Sequence, residues 1–238
     1  MKHDDRIIYC SDVEVAYDSA PVVSGASISV WPGECVGISG RNGVGKTTVL
    51  RLVAGRLASA RGRIRVLGVD PRNFKVERLA RLGLGIVNER RDVFASLTVA
   101  DNLRISSHQH SGAPQLQQWL LDELAPSLKA RMSIPAGGLS GGERSLLAYL
   151  NALSRSPRLL LVDELSEGLQ PAAVSRLTSV LKHFVNKGTS ILFVEQSHSV
   201  LRDFSDREFL LQNGILIEQH STHLRAESVE LEGQIKHD

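Results

Sequence analysis

The stretch Gly40-Arg-Asn-Gly-Val-Gly-Lys-Thr-Thr48 decides the fold, because it matches the pattern G-x-x-x-x-G-K-[ST] directly behind an apolar strand, Cys35-Val-Gly-Ile-Ser39. In such a loop the glycines let successive backbone N–H groups face phosphate oxygens, the lysine neutralises the β- and γ-phosphates, and a hydroxyl reaches Mg²⁺. Apolar residues then recur at helical spacing over 46–57, which would set the phosphates at a helix N-terminus. A chance Gly/Lys/Thr turn explains neither the strand nor the helix. The sequence therefore predicts a nucleoside-triphosphate site.

The composition is that of a globular protein. The chain has 238 residues, a formal net charge of +2, 42% hydrophobic and 23% charged residues. This charge is too small to indicate nucleic-acid binding. Two cysteines predict neither a disulfide framework nor a metal knuckle and favour a reducing cytosol. No window approaches 18 consecutive apolar residues and the N-terminus is polar, so we expect no signal peptide and any membrane role to come through a partner.

The order of elements is α/β with one helical interruption. The patterns predict strands at 7–9, 13–17, 26–31, 62–68, 84–87, 158–163 and 190–195, helices at 116–128, 140–154 and 172–185, and a hairpin at 207–217 with Asn213-Gly214 at its turn. Between about 92 and 136 the pattern is helical. His108 and His110 lie in a polar loop, where solvation is a better explanation than a metal site because no cysteine or carboxylate completes one.

A second segment with chemical content is Leu139-Ser-Gly-Gly-Glu143. Ser140 and Glu143 have the S-x-x-E spacing of a capping box, which predicts a helix that begins there. Gly141 and Gly142 carry no side chains that would block an approaching phosphate. A plain capped helix after a glycine-rich loop is the alternative.

A third segment is the apolar strand Leu159-Leu-Leu-Val, which ends in Asp163 and Glu164. A carboxylate at a strand end beside a phosphate loop is placed to support Mg²⁺. The second acid is a candidate general base for the water that attacks the γ-phosphorus. Ordinary surface charges are the alternative for this pair.

Together the three segments, in this order and at this spacing, resemble the ATP-binding subunits of ABC transporters over about residues 7–218. The resemblance implies an α/β P-loop NTPase (RecA-like) core with an antiparallel β subdomain and an inserted α-helical subdomain. It also implies ATP and Mg²⁺ as ligands, and a head-to-tail pair of ATP-binding subunits in which Ser140, Gly141 and Gly142 of one chain contact the nucleotide of the other.

The resemblance also assigns roles to single residues. Tyr17 falls where an aromatic stacks on adenine, although a core or exposed tyrosine is the alternative. Glu164 and Gln196 take the catalytic positions of general base and γ-phosphate switch, with His198 as a substitute for the latter. The expected metal site comprises Thr47, Glu89 and Asp163. The phosphate-loop residues expected to bind nucleotide are Gly40, Asn42, Gly43, Gly45, Lys46, Thr47 and Thr48.

A narrower likeness comes from 86–103, which is similar to the V-P-E-x-R-R-x-F-x-x-L-T-V-x-x-N-L pattern of branched-chain amino-acid importer ATPases, a subgroup that includes urea and short-amide importers. The segments 124–131, 166–171 and 194–196 also resemble that subgroup. Several positions depart from the common family pattern. Asn88 replaces a proline, Gln170 replaces an aspartate, and Leu165 replaces the proline after the paired acids, which predicts a looser turn at Glu164.

We therefore expect a single ATP-binding domain over 1–238, with an α/β core at 1–91 and 150–238 and a helical lobe at 92–149. The loop 88–94 would couple the γ-phosphate to the lobe, and Phe94 would lie in a groove for a helix of an integral membrane permease. The expected location is the cytoplasmic face of the membrane, with a solute-binding protein as an indirect partner and no nucleic acid. An efflux ATPase, a soluble ABC protein acting on DNA or ribosomes, and a P-loop kinase are the alternatives.

Overall fold

The computed structural model describes residues 5–17, 20–57, 61–107 and 113–219, which form two sheets and seven helices. The strands are β1 (Ile8–Tyr17), β2 (Ala20–Val30), β3 (Cys35–Ser39), β4 (Arg61–Val66), β5 (Leu84–Val87), β6 (Leu159–Asp163), β7 (Ser190–Val194), β8 (Arg207–Gln212) and β9 (Ile215–Gln219). The helices are α1 (Lys46–Val53), α2 (Val76–Arg81), α3 (Val99–Ser107), α4 (Ala113–Glu123), α5 (Gly141–Leu153), α6 (Pro171–Asn186) and α7 (His198–Phe204). Short 3-10 turns cover Pro71–Asn73, Pro126–Arg131 and Ala136–Gly138.

The larger sheet has the strand order β5-β6-β7-β3-β8-β9, parallel except for β9, which pairs antiparallel with β8. Every residue of β3, β6 and β7 is buried, as expected for parallel strands covered on both faces. These three strands are neighbours, so their carboxyl ends meet at one edge of the sheet. The phosphate loop, the paired acids and Gln196 all follow those ends.

The smaller sheet is antiparallel, with β1 between β2 and β4. The sequence predicts two strands at 7–9 and 13–17, but the structure contains one continuous strand. Its register shifts between Cys10 and Val13, where Asp12 has a φ of +53°. A bulge of this kind breaks the alternation of buried and exposed side chains, which explains why the pattern looked like two strands.

Two hydrophobic cores lie on the two sides of the larger sheet. One contains side chains of α3, α4, α5 and α6 together with Leu160, Val162 and Phe193, and the other contains α1 and the smaller sheet. The helical segment therefore packs directly on the α/β part. Helix α5 spans the expected lobe boundary at 149/150, while the division into 1–91, 92–149 and 150–238 stays a prediction.

Two predicted helices are shorter in the structure. Helix α1 ends at Val53 rather than at residue 57, because Gly55 turns the chain with a φ of +69°. Helix α4 ends at Glu123 rather than at residue 128, because Pro126 lacks the N–H that would continue the helix and starts a 3-10 turn instead. The hairpin at Asn213-Gly214 is confirmed, with φ values of +52° and +78° at these two residues. His108 and His110 lie outside the described residues.

Candidate nucleotide-binding site

The phosphate loop connects β3 to α1, and its backbone adopts positive φ angles that favour glycine. Gly40 and Gly45 have φ values of +148° and +109°. A Cβ at Gly40 would lie 2.7 Å from the carbonyl oxygen of Leu211, and one at Gly45 would lie 2.8 Å from Cγ1 of Val22. Larger residues at these two positions would therefore have to displace their neighbours.

Lys46 begins α1 and is almost fully buried, at 6% exposure. Its Nζ donates to the carbonyl oxygens of Gly40 at 2.9 Å and Arg41 at 3.2 Å. The ammonium is therefore held against the loop that is expected to bind phosphates. Within α1 no side chain caps the N-terminal amides, which leaves these donors for an anionic ligand.

Thr47 and Asp163 come together from elements that are distant in sequence. The Thr47 hydroxyl donates to Oδ1 of Asp163 at 3.2 Å. Burial at the end of β6 raises the pKa of the Asp163 carboxyl above its usual range, and the nearby carboxylates of Glu89 and Glu164 raise it further. A cation at this point would offset all three negative charges.

These oxygens suit Mg²⁺, which is commonly held by one or two carboxylates together with waters and substrate phosphates. Among the described residues, no group of three or more His, Cys, Asp or Glu side chains could hold a metal ion by itself. A metal ion here would therefore also need ligands from water and from the phosphates of a nucleotide. The hydroxyl and carboxylate of Thr47 and Asp163, with Glu89 nearby, fit the smaller donor set that a magnesium nucleotide requires.

Glu164 follows Asp163 and has a φ of +58°. The side-chain Nε2 of Gln196 donates to both of its carboxylate oxygens, at 2.7 and 2.9 Å. Gln196 and His198 are both exposed, but Gln196 directly follows Glu195 at the end of β7, whereas His198 begins α7. The structure therefore joins the two residues that the sequence analysis assigned to catalysis.

A cavity of about 550 Å³ lies in front of the phosphate loop. Two of its lining residues were missed by the sequence analysis: Val22 from β2, and Glu167, whose pKa is raised by burial and by the charge of Glu164. Val22 belongs to no motif, and Glu167 lies in the segment 166–171 that resembles the importer subgroup but was assigned no role there, because its position depends on the packing of the turn after β6. The cavity brings together the predicted residues Asn42, Gly43, Gly45, Lys46, Thr47, Thr48, Glu89, Glu164 and Gln196.

Gly40, whose carbonyl oxygen accepts from Lys46, does not line this cavity, and neither do three other predicted nucleotide contacts, Ser140, Gly141 and Gly142. The latter three lie at the N-terminus of α5, where the Ser140 hydroxyl accepts from the Glu143 N–H and Glu143 accepts from the Ser140 N–H, which completes the predicted capping box. The backbone of Tyr17 ends β1, but its side chain lies outside the described part of the structure.

Comparison with known proteins decides the family. The family described as "ABC transporter" matches residues 23–167. The High-affinity branched-chain amino acid transport ATP-binding protein BraG of Pseudomonas aeruginosa is 33% identical over 211 residues, which cover 88% of this chain and 90% of BraG. The chain belongs to the ABC transporter ATP-binding family. Another similar relative, the Nod factor export ATP-binding protein I of Rhizobium etli, is 32% identical over 90% of this chain and 67% of its own length.

The fold agrees with this family. A solved structure, described as the ATP binding subunit of an ABC transporter, superposes with a TM-score of 0.82 at 22% identity, covering 95% of this chain and 93% of that one. The expected recognition of an ABC ATPase and of its P-loop fold is therefore confirmed. As an ABC ATPase, the chain binds and hydrolyses ATP. None of the helices in the described ranges is both long and apolar enough to span a bilayer.

Proposed function

We propose that this ABC ATPase powers an importer for branched-chain amino acids or a related small amide. The observation that carries the catalytic part is the meeting of two hydrogen-bonded pairs at one sheet edge, Thr47 with Asp163 and Gln196 with Glu164. The importer assignment is supported by the likeness of 86–103 to that subgroup and by the similarity to BraG.

In the proposed mechanism the phosphate loop binds the triphosphate through its backbone amides, with Lys46 neutralising the β- and γ-phosphates. Tyr17 would stack on the adenine. Thr47, Asp163 and Glu89 would hold Mg²⁺, which neutralises charge on the phosphate oxygens when it is bound. Burial raises the pKa of Asp163 in the ligand-free fold, and such a cation would lower that pKa and favour the ionised carboxylate.

Glu164 acts as the general base. It accepts a proton from water as the water oxygen bonds to the γ-phosphorus, and the bond from that phosphorus to the ADP oxygen breaks in line. Gln196 orients the carboxylate through its two hydrogen bonds and lies in the same cavity as Lys46, where it would also sense the γ-phosphate.

The site is completed by a second ATP-binding subunit, arranged head to tail. The N-terminus of α5 supports this arrangement, because it offers backbone amides but does not line the cavity of its own chain. A Cβ at Gly141 would meet nothing within 4 Å among the described residues, which leaves room for a partner's phosphate. Ser140, Gly141 and Gly142 would contact the nucleotide bound by that partner.

A groove of about 320 Å³ is the proposed docking site of an integral membrane permease, which would hold the chain at the cytoplasmic face of the membrane. Phe94 lies at this groove with 56% of its surface exposed. The buried Asn102 side chain fixes the preceding loop, accepting from the Phe94 N–H at 2.9 Å and donating to the Phe94 carbonyl at 3.1 Å. A solute-binding protein is an indirect partner if the system imports.

An efflux system is the second candidate, because the Nod factor export relative matches nearly as well as BraG. The two candidates share all catalytic residues and differ in the membrane partner. Purification of the chain with its native permease separates them. An importer-type permease supports the first, and an exporter-type permease replaces it with the second.

The catalytic assignment is tested by Glu164→Gln. We expect ATP to bind with unchanged affinity while turnover falls by about 10²–10⁴-fold, the usual cost of losing a general base. With ATP and Mg²⁺ the variant should accumulate as a dimer in light scattering. Wild-type turnover in this variant would reject Glu164 as the base.

A further inference from the structure

The turn Glu164–Ser166 follows the catalytic strand and is held by three buried side chains. Arg91 donates through Nη2 to the carbonyl oxygen of Glu164, and the Tyr149 hydroxyl donates to the carbonyl of Leu165 at 2.9 Å. The Glu195 carboxylate accepts from the N–H of Ser166 at 2.8 Å. The looser turn that the sequence predicted from Leu165 is therefore not what the structure contains: three consecutive residues each have a buried side chain as a partner.

Arg91 makes the contact nearest to the proposed base. It is 6% exposed, and its guanidinium also donates through Nη1 to the carbonyl of Asn88 at 3.4 Å and lies 5.4 Å from the ring centre of Tyr149. Through these contacts Arg91 links the 88–94 loop to the backbone that carries Glu164.

The other two side chains hold the same turn from different elements. Tyr149 belongs to α5, is fully buried, and has a pKa that burial raises above its usual range, so its hydroxyl remains a donor. Glu195 is 2% exposed and also accepts from the N–H groups of Gln196 and Ser197, at 2.7 and 3.0 Å. One carboxylate therefore ties the Glu164 turn to the residue that orients the Glu164 side chain.

Two features of Arg91 lower the stability of the fold. Its Nε is buried and has no hydrogen-bond partner among the described residues, and its backbone φ is +49°. Buried unsatisfied donors and left-handed backbone at non-glycine residues both cost stability, and both concentrate where a residue has a functional task.

We propose that Arg91 is a positioning residue for the catalytic base, which it holds in place by fixing the Glu164 carbonyl, with Tyr149 and Glu195 fixing the next two peptide groups. This inference rests on the proposed role of Glu164. Because Arg91 lies in the loop between Glu89 and Phe94, a displacement of that loop at the permease groove also displaces the backbone of the base.

The test compares Arg91→Met with Arg176→Met, a control at an exposed position of α6. Arg91→Met retains an unbranched apolar chain but loses both donors. We expect its kcat for ATP to fall by roughly 10-fold to 100-fold, the size of effect that a misplaced catalytic group produces, with an unchanged Kd for ATP. Arg91→Lys should recover part of the loss, because an ammonium supplies a hydrogen-bond donor but lacks the two planar Nη groups of the guanidinium. Arg176→Met should match the wild type.

A double-mutant cycle separates positioning from a general loss of structure. If Arg91 acts through Glu164, adding Arg91→Met to Glu164→Gln should not lower the residual turnover further. An equal loss in both backgrounds, or wild-type kcat in Arg91→Met, overturns the inference. Wild-type turnover in Glu164→Gln alone would instead overturn the proposed base.

If Arg91→Met does not fold, Tyr149→Phe decides the question, since it removes only the hydroxyl that binds the Leu165 carbonyl. A lowered kcat with an unchanged Kd for ATP is the result expected if the contacts of Arg91, Tyr149 and Glu195 together position the Glu164 turn. Wild-type kcat in a folded Tyr149→Phe protein overturns it.

Discussion

Asp163 holds its carboxylate at the end of a fully buried strand, near two further acids and with the Thr47 hydroxyl as a donor. Burial raises its pKa, so the folded protein binds a proton at Asp163 more readily than the unfolded chain does. The stabilising contribution of this group is present below the ordinary aspartate pKa and is lost as the pH rises through the folded value. At neutral pH the ionised form therefore weakens the ligand-free fold.

Asp163→Asn should accordingly raise the thermal midpoint of the ligand-free protein by a few degrees at neutral pH, as measured by calorimetry. The gain should shrink as the pH falls toward the ordinary aspartate pKa, because the wild-type carboxyl becomes neutral there as well. The same variant should lose ATP turnover. Asp203→Asn is the matched control, since that carboxylate is 72% exposed and should change the midpoint little. A midpoint that falls at neutral pH in Asp163→Asn would contradict this account.

The sequence predicted the roles of some residues in the site but not of others. Lys46 and Asp163 belong to motifs with fixed spacing, so their type and order were enough to propose them. Gln196 was proposed from its register after a strand, and the structure brings it to Glu164. Arg91 was not proposed, because its contact with the Glu164 carbonyl joins residues 73 positions apart and has no local pattern.

At the scale of elements, the phosphate loop requires glycine for two separate reasons, a positive φ and a close neighbour. Gly40 and Gly188 both have positive φ, +148° and +97°. Only Gly40 has backbone close to the position of a Cβ, at 2.7 Å from the Leu211 carbonyl oxygen, whereas Gly188 has nothing within 4 Å among the described residues.

We therefore expect Gly188→Ala to lower the free energy of unfolding by about 1–2 kcal/mol, the cost of a left-handed alanine. Gly40→Ala should cost roughly 1–3 kcal/mol more, because the neighbouring strand must shift. It should also weaken ATP binding, since the Gly40 carbonyl holds Lys46. Urea denaturation and ATP titration measure the two effects. Equal destabilisation by both variants would show that the close contact is unimportant.

Element type was predicted better than element length. The buried strands at β3, β6 and β7 were predicted from apolar runs, and their bounds agree within two residues. Lengths were wrong where a single residue changes the backbone: Gly55 ends α1, Pro126 stops α4, and the bulge near Asp12 joins two predicted strands into one. Helix α7, which Ser197 caps by accepting from the Val200 N–H, was not predicted, because a seven-residue helix is too short to establish a helical period in the sequence.

At the scale of the whole molecule, the N-terminus of α5 has one role in the folding of its own chain and a second, proposed role in dimer formation. Ser140 caps the helix in its own chain and is proposed to contact the partner's γ-phosphate. Aspartate is also a good N-cap, but it would place a carboxylate beside that of Glu143, which accepts from the Ser140 hydroxyl at 2.9 Å. Ser140→Asp should therefore lower the stability of the isolated chain by about 0.5 kcal/mol while the chain stays folded. The added carboxylate would repel a phosphate, so the ATP-dependent dimer of the Glu164→Gln protein should be lost.

Light scattering with ATP and Mg²⁺ measures that dimer, and urea denaturation measures the stability. Ser140→Asn is the matched control, because asparagine caps as well as aspartate but carries no charge. Ser140→Asn should retain more of the dimer than Ser140→Asp. A full ATP-dependent dimer in Ser140→Asp would contradict the proposed composite site.

By itself, the sequence determined the family, the phosphate-loop chemistry and the candidate acids, because each depends on residue types at fixed spacing within one short segment. Only the tertiary structure decided which of these residues meet. Adjacent parallel strands bring the ends of β3, β6 and β7 to one edge, so Thr47 reaches Asp163 and Gln196 reaches Glu164 across more than thirty positions of chain. The support of the Glu164 turn by three buried side chains has the same origin, since long-range packing leaves no periodic signal in the sequence.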